Sequence, residues 1–180
     1  MVTHYITPYS TEGNIGQAYN EACSAVDDPD TWIIIRDGDT MFMTPEWGAL
    51  IHRTLERHGK DFQLFGAMTN RVRDHHHKVP GMFDELNLRE HYKKAKELQD
   101  TEDTEVFQTI FDVAGFFMCF QKKTWEDVGG FEEGTPVFDR LFSRALRKKG
   151  GKIAIMKGLY VLHSYRIWSD DPLGETGHLG

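Results

Sequence analysis

The chain has 180 residues, 39% of them hydrophobic and 27% charged, which predicts one globular domain over residues 1–180 with a sizeable core. Its net charge of -7 argues against a protein that binds nucleic acid by neutralising phosphates. Because it lacks an apolar run of about 20 residues, a signal-peptide start and a cysteine framework, we expect a cytoplasmic protein without a transmembrane segment.

Strand and helix patterns alternate along the chain. In chain order the predicted elements are a strand at 4–7, a helix at 15–26, a strand at 31–36, a helix at 45–58, a strand at 62–68, a helix at 88–98, a strand at 115–120, helices at 124–128 and 136–149, and strands at 153–156 and 159–162. The strands are short apolar runs, typical of strands covered on both faces. We therefore expect an α/β fold with a mostly parallel central sheet flanked by helices.

Residues 69–105 interrupt this alternation because they are polar, charged and rich in histidine. Three adjacent histidines, His75 to His77, cannot all face one ion in regular structure. We expect them to lie in a solvated loop. The lysines near residue 94 are balanced by acids a few residues away, which is typical of a solvated helix face.

Asp37-Gly38-Asp39 directly follows the predicted strand at 31–36. Ligands of α/β sheets bind outside the carboxyl ends of the strands, and Gly38 would let the chain bend so that both carboxylates face one ligand. Hard oxygen ligands of this kind suit Mg²⁺ or Mn²⁺. The same tripeptide is also common turn chemistry. The residues alone therefore leave a metal site and a polar turn open.

This tripeptide belongs to a series of segments in an informative order. The segments are Asn14–Ala22 (NIGQAYNEA), Asp37-Gly38-Asp39, Gly115-Phe116-Phe117, Gly129-Gly130-Phe131-Glu132-Glu133, Asp139 within 137–144, Gly150-Gly151-Lys152-Ile153 and Val161-Leu162-His163. In this order they resemble glycosyltransferase family 2 and its GT-A fold, over residues 5–163. The resemblance implies one minimal, Rossmann-like GT-A domain with a shortened nucleotide-binding half.

The resemblance also implies an activity. Such an enzyme transfers a hexosyl or N-acetylhexosaminyl group from a nucleotide-sugar, here a UDP- or GDP-sugar, to a hydroxyl of a glycan, lipid-linked or protein acceptor. It would do so with inversion and with Mn²⁺ or Mg²⁺ as cofactor. Residues 69–105 would form an acceptor-side insertion, and residues 164–180 a tail or lid.

Site roles follow from the same resemblance. Asp37, Asp39 and His163 would hold the cation, and Asp139 would be the general base. Glu132 and Glu133 are alternative bases, because Phe138 stands where the family usually has an acid. The residues implied to bind the donor are Thr7, Pro8, Tyr9, Gly16, Gln17, Asn20, Asp37, Gly38 and Arg166. Those implied to bind the acceptor are Gly130 and Trp168.

Other interpretations stay open. A non-catalytic nucleotide-sugar or carbohydrate-binding module would carry the same motifs without turnover. A haloacid-dehalogenase-like phosphatase also begins with a strand and Asp-x-Asp, but Met41 stands where that family has Thr or Val, and its later residues would be Lys157 and Asp170-Asp171. Read alone, His163 would be a structural histidine and Asp139 a first-turn helix acid. A homo-oligomer is compatible with the sequence.

Overall fold

A computed structural model describes residues 1–165 of the chain. Within these residues it has five α-helices, one 3₁₀ turn and seven strands, which confirms the α/β class. The helices are α1 (Ile15–Ser24), α2 (Trp47–His58), α3 (Leu88–Glu102), α4 (Lys122–Val128) and α5 (Phe138–Lys148). The strands are β1 (Thr3–Ile6), β2 (Trp32–Arg36), β3 (Thr40–Phe42), β4 (Leu64–Met68), β5 (Val106–Thr109), β6 (Phe117–Gln121) and β7 (Ile153–His163).

The sheet is mixed, so the prediction of a mostly parallel sheet is wrong. Its strand order is β1-β2-β6-β4-β7-β3, and β5 pairs with β7. β1 and β2 are parallel, but β6 runs antiparallel to both β2 and β4, and β3 runs antiparallel to β7. The apolar runs of β2, β4 and β6 report burial of the strands, which central antiparallel strands share with parallel ones. Composition therefore did not determine strand direction.

One long strand replaces the two predicted at 153–156 and 159–162. β7 continues through Lys157 and Gly158, and the Lys157 N–H donates to the Glu105 carbonyl at 2.9 Å. A Cβ at Gly158 would lie 2.2 Å from the Asp103 carbonyl oxygen, so this glycine permits a close backbone approach and does not end a strand. The short strands β3 and β5 had no predicted counterpart.

The histidine segment is only partly a solvated loop. Residues His75–His77 form the 3₁₀ turn, with His75 exposed and His77 fully buried. The Nδ1 of His77 lies 2.8 Å from the Ala67 carbonyl oxygen. The expectation of solvation is wrong for His77, because its ring is hydrogen-bonded in the interior.

By its contacts the chain divides into two compact units. The first contains Met1–Gly38, His58–Gly66 and Gln108–Ala154. Its core includes the three buried isoleucines of β2, and three aromatic rings that pack together. The ring centroids of Phe131 and Phe142 are 4.4 Å apart, and those of Phe120 and Phe142 are 5.1 Å apart.

The second unit contains Asp39–Arg57, Ala67–Phe107 and, among the described residues, 155–165. Its core is a cluster of buried residues from β7, α3, the segment before α3 and the residue that follows β3: Met43, Val79, Met82, Ala95, Tyr160 and Leu162. Among residues 1–165, no helix is both long and apolar enough to cross a bilayer.

Candidate metal centre

Strand β2 delivers Asp37 to the edge of the sheet. Ile33, Ile34 and Ile35 are fully buried, and the Asp37 N–H donates to the Phe116 carbonyl at 3.1 Å. A Cβ at Gly38 would meet Thr7 Cγ2 at 3.9 Å, which is ordinary contact. Packing therefore does not require glycine at position 38, and Thr7 is placed beside it.

Asp37 is held by a buried tyrosine that the sequence interpretation missed. The hydroxyl of Tyr19 lies 2.7 Å from Asp37 Oδ1 and 3.4 Å from the Gly115 carbonyl oxygen. A carboxylate only accepts, so the Tyr19 hydroxyl donates to it. Tyr19 belongs to the NIGQAYNEA segment that the sequence analysis singled out. The spacing of that segment did not indicate which residue Tyr19 would contact.

Asp39 and His163 meet because their strands pair. In the β3–β7 ladder Thr40 is opposite His163, which places Asp39 next to the end of β7. The Ser164 N–H and hydroxyl both donate to the Asp39 carbonyl, at 2.9 and 2.5 Å. The Nε2 of His163 lies 3.3 Å from Asp39 Oδ2. Backbone pairing thus fixes this contact.

Asn70 and Arg71, which follow β4, orient the His163 side chain. The His163 N–H donates to Asn70 Oδ1 at 2.9 Å, and the ring Nδ1 lies 2.7 Å from the Arg71 carbonyl oxygen. Since a carbonyl only accepts, Nδ1 carries a proton, and Nε2 is the ring nitrogen that faces Asp39: it donates to that carboxylate when the ring is protonated and would be the ligand atom when a cation replaces its proton. Carbonyl contacts of this kind orient metal-binding histidines. Asn70 and Arg71 lie in the polar segment 69–105, where no motif indicated them.

The electrostatics around Asp39 favour its ionised form. Burial raises the pKa of this carboxyl, but the hydrogen bond and positive charge of His163 outweigh burial and hold the pKa below its ordinary value. Asp39 is therefore a carboxylate at neutral pH and can act as a ligand for a cation.

The donor atoms fit a divalent cation. Asp37 and Asp39 are two residues apart in the chain, and one ligand atom each of Asp37, Asp39 and His163 lies within 4.8 Å of the others. Within residues 1–165 this is the one such group of three.

Asp139 lies at the start of α5, half-buried in the first unit. Its Oδ2 accepts from the Gly115 N–H at 2.8 Å and its Oδ1 from the Arg140 N–H at 2.7 Å. A Cβ at Gly115 would lie 3.2 Å from Phe138 Cζ and 3.5 Å from Asp139 Oδ2, so glycine there keeps the approach close. Gly115 thus contacts Asp139 through its N–H and Tyr19 through its carbonyl.

Two of the predicted donor residues of α1, Gly16 and Asn20, lie against the Gly-Gly-Phe-Glu loop. Asn20 Nδ2 donates to the Phe131 carbonyl and to Glu133 Oε1, both at 2.9 Å. Its Oδ1 accepts from the Phe131 N–H at 2.8 Å and from Trp125 Nε1 at 3.1 Å. The contacts that Asn20 makes are therefore with this loop, and its role in donor binding stays a prediction.

Two glycines make this docking of α1 possible. A Cβ at Gly16 would lie 2.3 Å from the Glu132 carbonyl oxygen, and one at Gly130 would lie 2.9 Å from Asn20 Oδ1. Gly130 also has a φ of 82°, in the left-handed region that favours glycine. Two motifs that are more than 100 residues apart in sequence thus form one packed structure.

The remaining predicted site residues lie near the N-terminal end of α1 or outside the described residues. Tyr9 is 83% exposed and, with Gln17, lines a polar cavity of about 190 Å³ at the N-terminal end of α1. Pro8 immediately follows Thr7. Arg166 and Trp168 lie outside the described residues, as does most of the predicted tail or lid at 164–180.

Comparisons with known proteins add no family. No family model matches the chain, and a search of curated proteins found no match. Function therefore has to be argued from the site.

Proposed function

We propose that this protein is a metal-dependent GT-A glycosyltransferase. It transfers a hexosyl or N-acetylhexosaminyl group from a UDP- or GDP-sugar to a hydroxyl of a glycan, lipid-linked or protein acceptor, with inversion. The observation that carries the proposal is the Asp37, Asp39 and His163 group, in which one ligand atom of each side chain lies within 4.8 Å of the others. This donor set suits Mn²⁺ or Mg²⁺.

In this proposal the three side chains hold the cation, which when bound supplies positive charge that stabilises a departing nucleoside diphosphate. Asp39 contributes a carboxylate that stays ionised beside His163. The Arg71 carbonyl keeps the proton of His163 on Nδ1 and so directs Nε2 to the site. Tyr19 holds Asp37 by one oxygen.

Asp139 is the proposed general base. The acceptor hydroxyl must lose a proton as it attacks the sugar, and a positioned carboxylate can accept that proton. Main-chain N–H bonds from Gly115 and Arg140 position the two oxygens of Asp139. One base and one in-line displacement give inversion at the anomeric carbon.

The alternatives receive less support. A phosphatase of the haloacid-dehalogenase type would need Lys157 at its reaction centre, but this lysine forms an ion pair with Glu102 within the second unit. A non-catalytic binding module would share the cation and donor contacts of the transferase. Transfer activity distinguishes the transferase from the binding module.

The test is a thermal-shift experiment with UDP and GDP, with and without Mn²⁺. We expect a nucleotide to raise the melting temperature only when Mn²⁺ is present. A ligand in hundredfold excess over its Kd stabilises the folded protein by about 2.7 kcal/mol, so the shift should be measurable. Asp39→Asn should abolish the shift, and Asp27→Asn, an exposed control, should retain it. Nucleotide binding without a cation, or an unchanged Mn²⁺ requirement in Asp39→Asn, would contradict the proposal.

A further inference from the structure

Helix α5 has one exposed side, which changes from apolar to basic along its length. Val137, directly before the helix, and Leu141 are exposed, and so are Arg144 and Lys148 further along. These residues recur at intervals of three and four, so they lie on one side of the helix. The opposite side is buried in the first unit. The outer side of α5 is therefore a continuous surface in solvent.

The loop after β5 places two large apolar side chains beside this side of α5. Ile110 is 75% exposed and Phe111 is 60% exposed. The loop is fastened to the helix, because Arg147 Nη1 donates to the Phe111 carbonyl at 2.9 Å and Asp112 forms ion pairs with Arg144 and Arg147. Single exposed apolar residues are ordinary on a protein surface, whereas neighbouring ones mark an interaction site. This loop thus offers two apolar anchors next to a basic helix.

Positive charge is concentrated on the same element. Residues 137–152 contain six basic residues and one acid, a net charge of +5 in a chain whose net charge is -7. Asp112, which is paired with two of the arginines, lowers the local value to +4. Lys148, Lys149 and Lys152 are all exposed. The helix end is therefore a cationic patch on an otherwise acidic protein.

An anionic lipid bilayer fits this combination of apolar and basic side chains. Large apolar residues enter the headgroup region, and clustered Lys and Arg side chains are attracted to acidic headgroups. A protein partner fits less well, because lysine is depleted at protein interfaces. A nucleic-acid backbone would use the charge but not an exposed isoleucine.

We propose that this protein binds the surface of an anionic bilayer through α5 and the loop before β6. In this arrangement Ile110 and Phe111 enter the headgroup region, and the lysines at the end of α5 contact the acidic headgroups. The inference goes beyond the proposed transferase activity and does not depend on the cation site. The binding surface consists of Ile110, Phe111, Val137, Leu141, Arg144, Lys148 and Lys149.

The test is sedimentation of the full chain with vesicles of phosphatidylcholine alone and of phosphatidylcholine mixed with phosphatidylserine. We expect binding to the mixed vesicles only, and weaker binding at high salt, because salt screens exposed charges. Ile110→Ser should lower the partition coefficient about tenfold or more, since it removes an apolar side chain from the headgroup region. Lys148→Gln combined with Lys149→Gln should lower it about 25-fold, at about fivefold for each charge.

Two variants in the second unit are the matched controls. Leu86→Ser removes an exposed leucine, and Lys96→Gln removes an exposed lysine of α3. Both should bind the mixed vesicles as the wild type does. All of these substitutions are at exposed positions, and thermal melts establish that each variant is folded.

Each outcome decides the proposal. It is overturned if the wild type binds neither kind of vesicle or both equally, or if Ile110→Ser or the double lysine variant binds as the wild type does. An equal loss in Leu86→Ser or Lys96→Gln would also overturn it. A dimer in light scattering that Ile110→Ser dissociates, without vesicle binding, would make this surface a contact between two copies instead.

Asp39→Asn distinguishes this inference from the proposed function. It should lose the Mn²⁺-dependent binding of nucleotide and keep the binding to mixed vesicles. Failure of the cation site therefore leaves the lipid surface standing, and failure of vesicle binding leaves the cation site standing.

Discussion

The two units hold their site residues by different means. In the second unit, Asp39 and His163 are fixed by main-chain groups: a strand ladder, the Ser164 bonds to the Asp39 carbonyl and the Arg71 carbonyl on the His163 ring. In the first unit, Asp37 and Asp139 are held by Tyr19 and Gly115, and α1 packs closely on the 129–134 loop. The main-chain arrangement of the second unit should tolerate loss of a side chain. The close side-chain packing of the first unit should not tolerate added atoms.

The largest effect is expected at Asp139 in the first unit. Asp139→Asn should lower the transfer rate by about 10² to 10⁴, since an amide cannot take the proton of the acceptor hydroxyl. Nucleotide affinity, measured by calorimetry, should barely change. Glu132→Gln and Glu133→Gln are the controls and should keep most of the activity. Full activity in Asp139→Asn would transfer the role of base to Glu132 or Glu133, and a product with retained configuration would exclude single displacement.

His163 tests the main-chain support of the second unit. His163→Ala should weaken Mn²⁺ binding by at least the 10- to 100-fold that loss of an outer contact costs. Its melting temperature should stay close to that of the wild type, because the His163 N–H bond to Asn70 and the β3–β7 ladder do not need the ring. His75→Ala, at an exposed histidine, is the control. A variant that loses stability but keeps Mn²⁺ affinity would make His163 a structural histidine.

Gly16 tests the close packing of the first unit. Gly16→Ala would place a Cβ 2.3 Å from the Glu132 carbonyl oxygen and should destabilise the protein by about 1–3 kcal/mol. Gly48→Ala is the matched control in α2, where a Cβ meets nothing within 4 Å. It should stabilise by about 0.5–1 kcal/mol through helix propensity. Denaturant unfolding measures both, and equal effects would mean that the α1 contact is not tight.

The smallest effect is a pH dependence in the second unit. Buried His91 lies 3.0 Å through Nε2 from the Glu85 carbonyl, so Nε2 carries the proton and Nδ1 accepts from the Tyr160 hydroxyl. Burial lowers the pKa of His91 below 6.5; the Glu85 carbonyl and charge oppose this, and the charge of Arg71 adds to it.

Because the unfolded chain keeps the higher pKa, it binds more protons, and stability must fall as pH drops below about 6.5. Above that pH the contribution is constant. The decrease in melting temperature between pH 7.5 and 5.5 should be smaller in His91→Gln than in the wild type. An identical decrease would mean that His91 does not lose stability on protonation.

Parts of this picture could be predicted from the sequence because they depend on local patterns. The apolar run of β2 and the Pro136 start before α5 placed these elements within about two residues, and the α/β class followed from their alternation. Strand direction could not be predicted, since β6 is as apolar as a parallel strand would be. β3 has only three residues, too few for a period to show.

The site divides in the same way. Asp37 and Asp39 could be identified because they are two residues apart in sequence and follow a strand. The proximity of His163 to Asp39 depends on the β3–β7 register, which nothing local encodes. Tyr19 and Arg71 act through contacts across 18 and 92 residues, so their roles required the folded chain.

Pulsed electron paramagnetic resonance on the protein with bound Mn²⁺ tests the central claim most directly. A single ion held by Asp37, Asp39 and His163 predicts one Mn²⁺ per chain, with coupling to one imidazole nitrogen from His163 Nε2. His163→Gln should remove that coupling, and His75→Ala should keep it. A Mn²⁺ signal without nitrogen coupling, or the same coupling in His163→Gln, would contradict the assignment of this site.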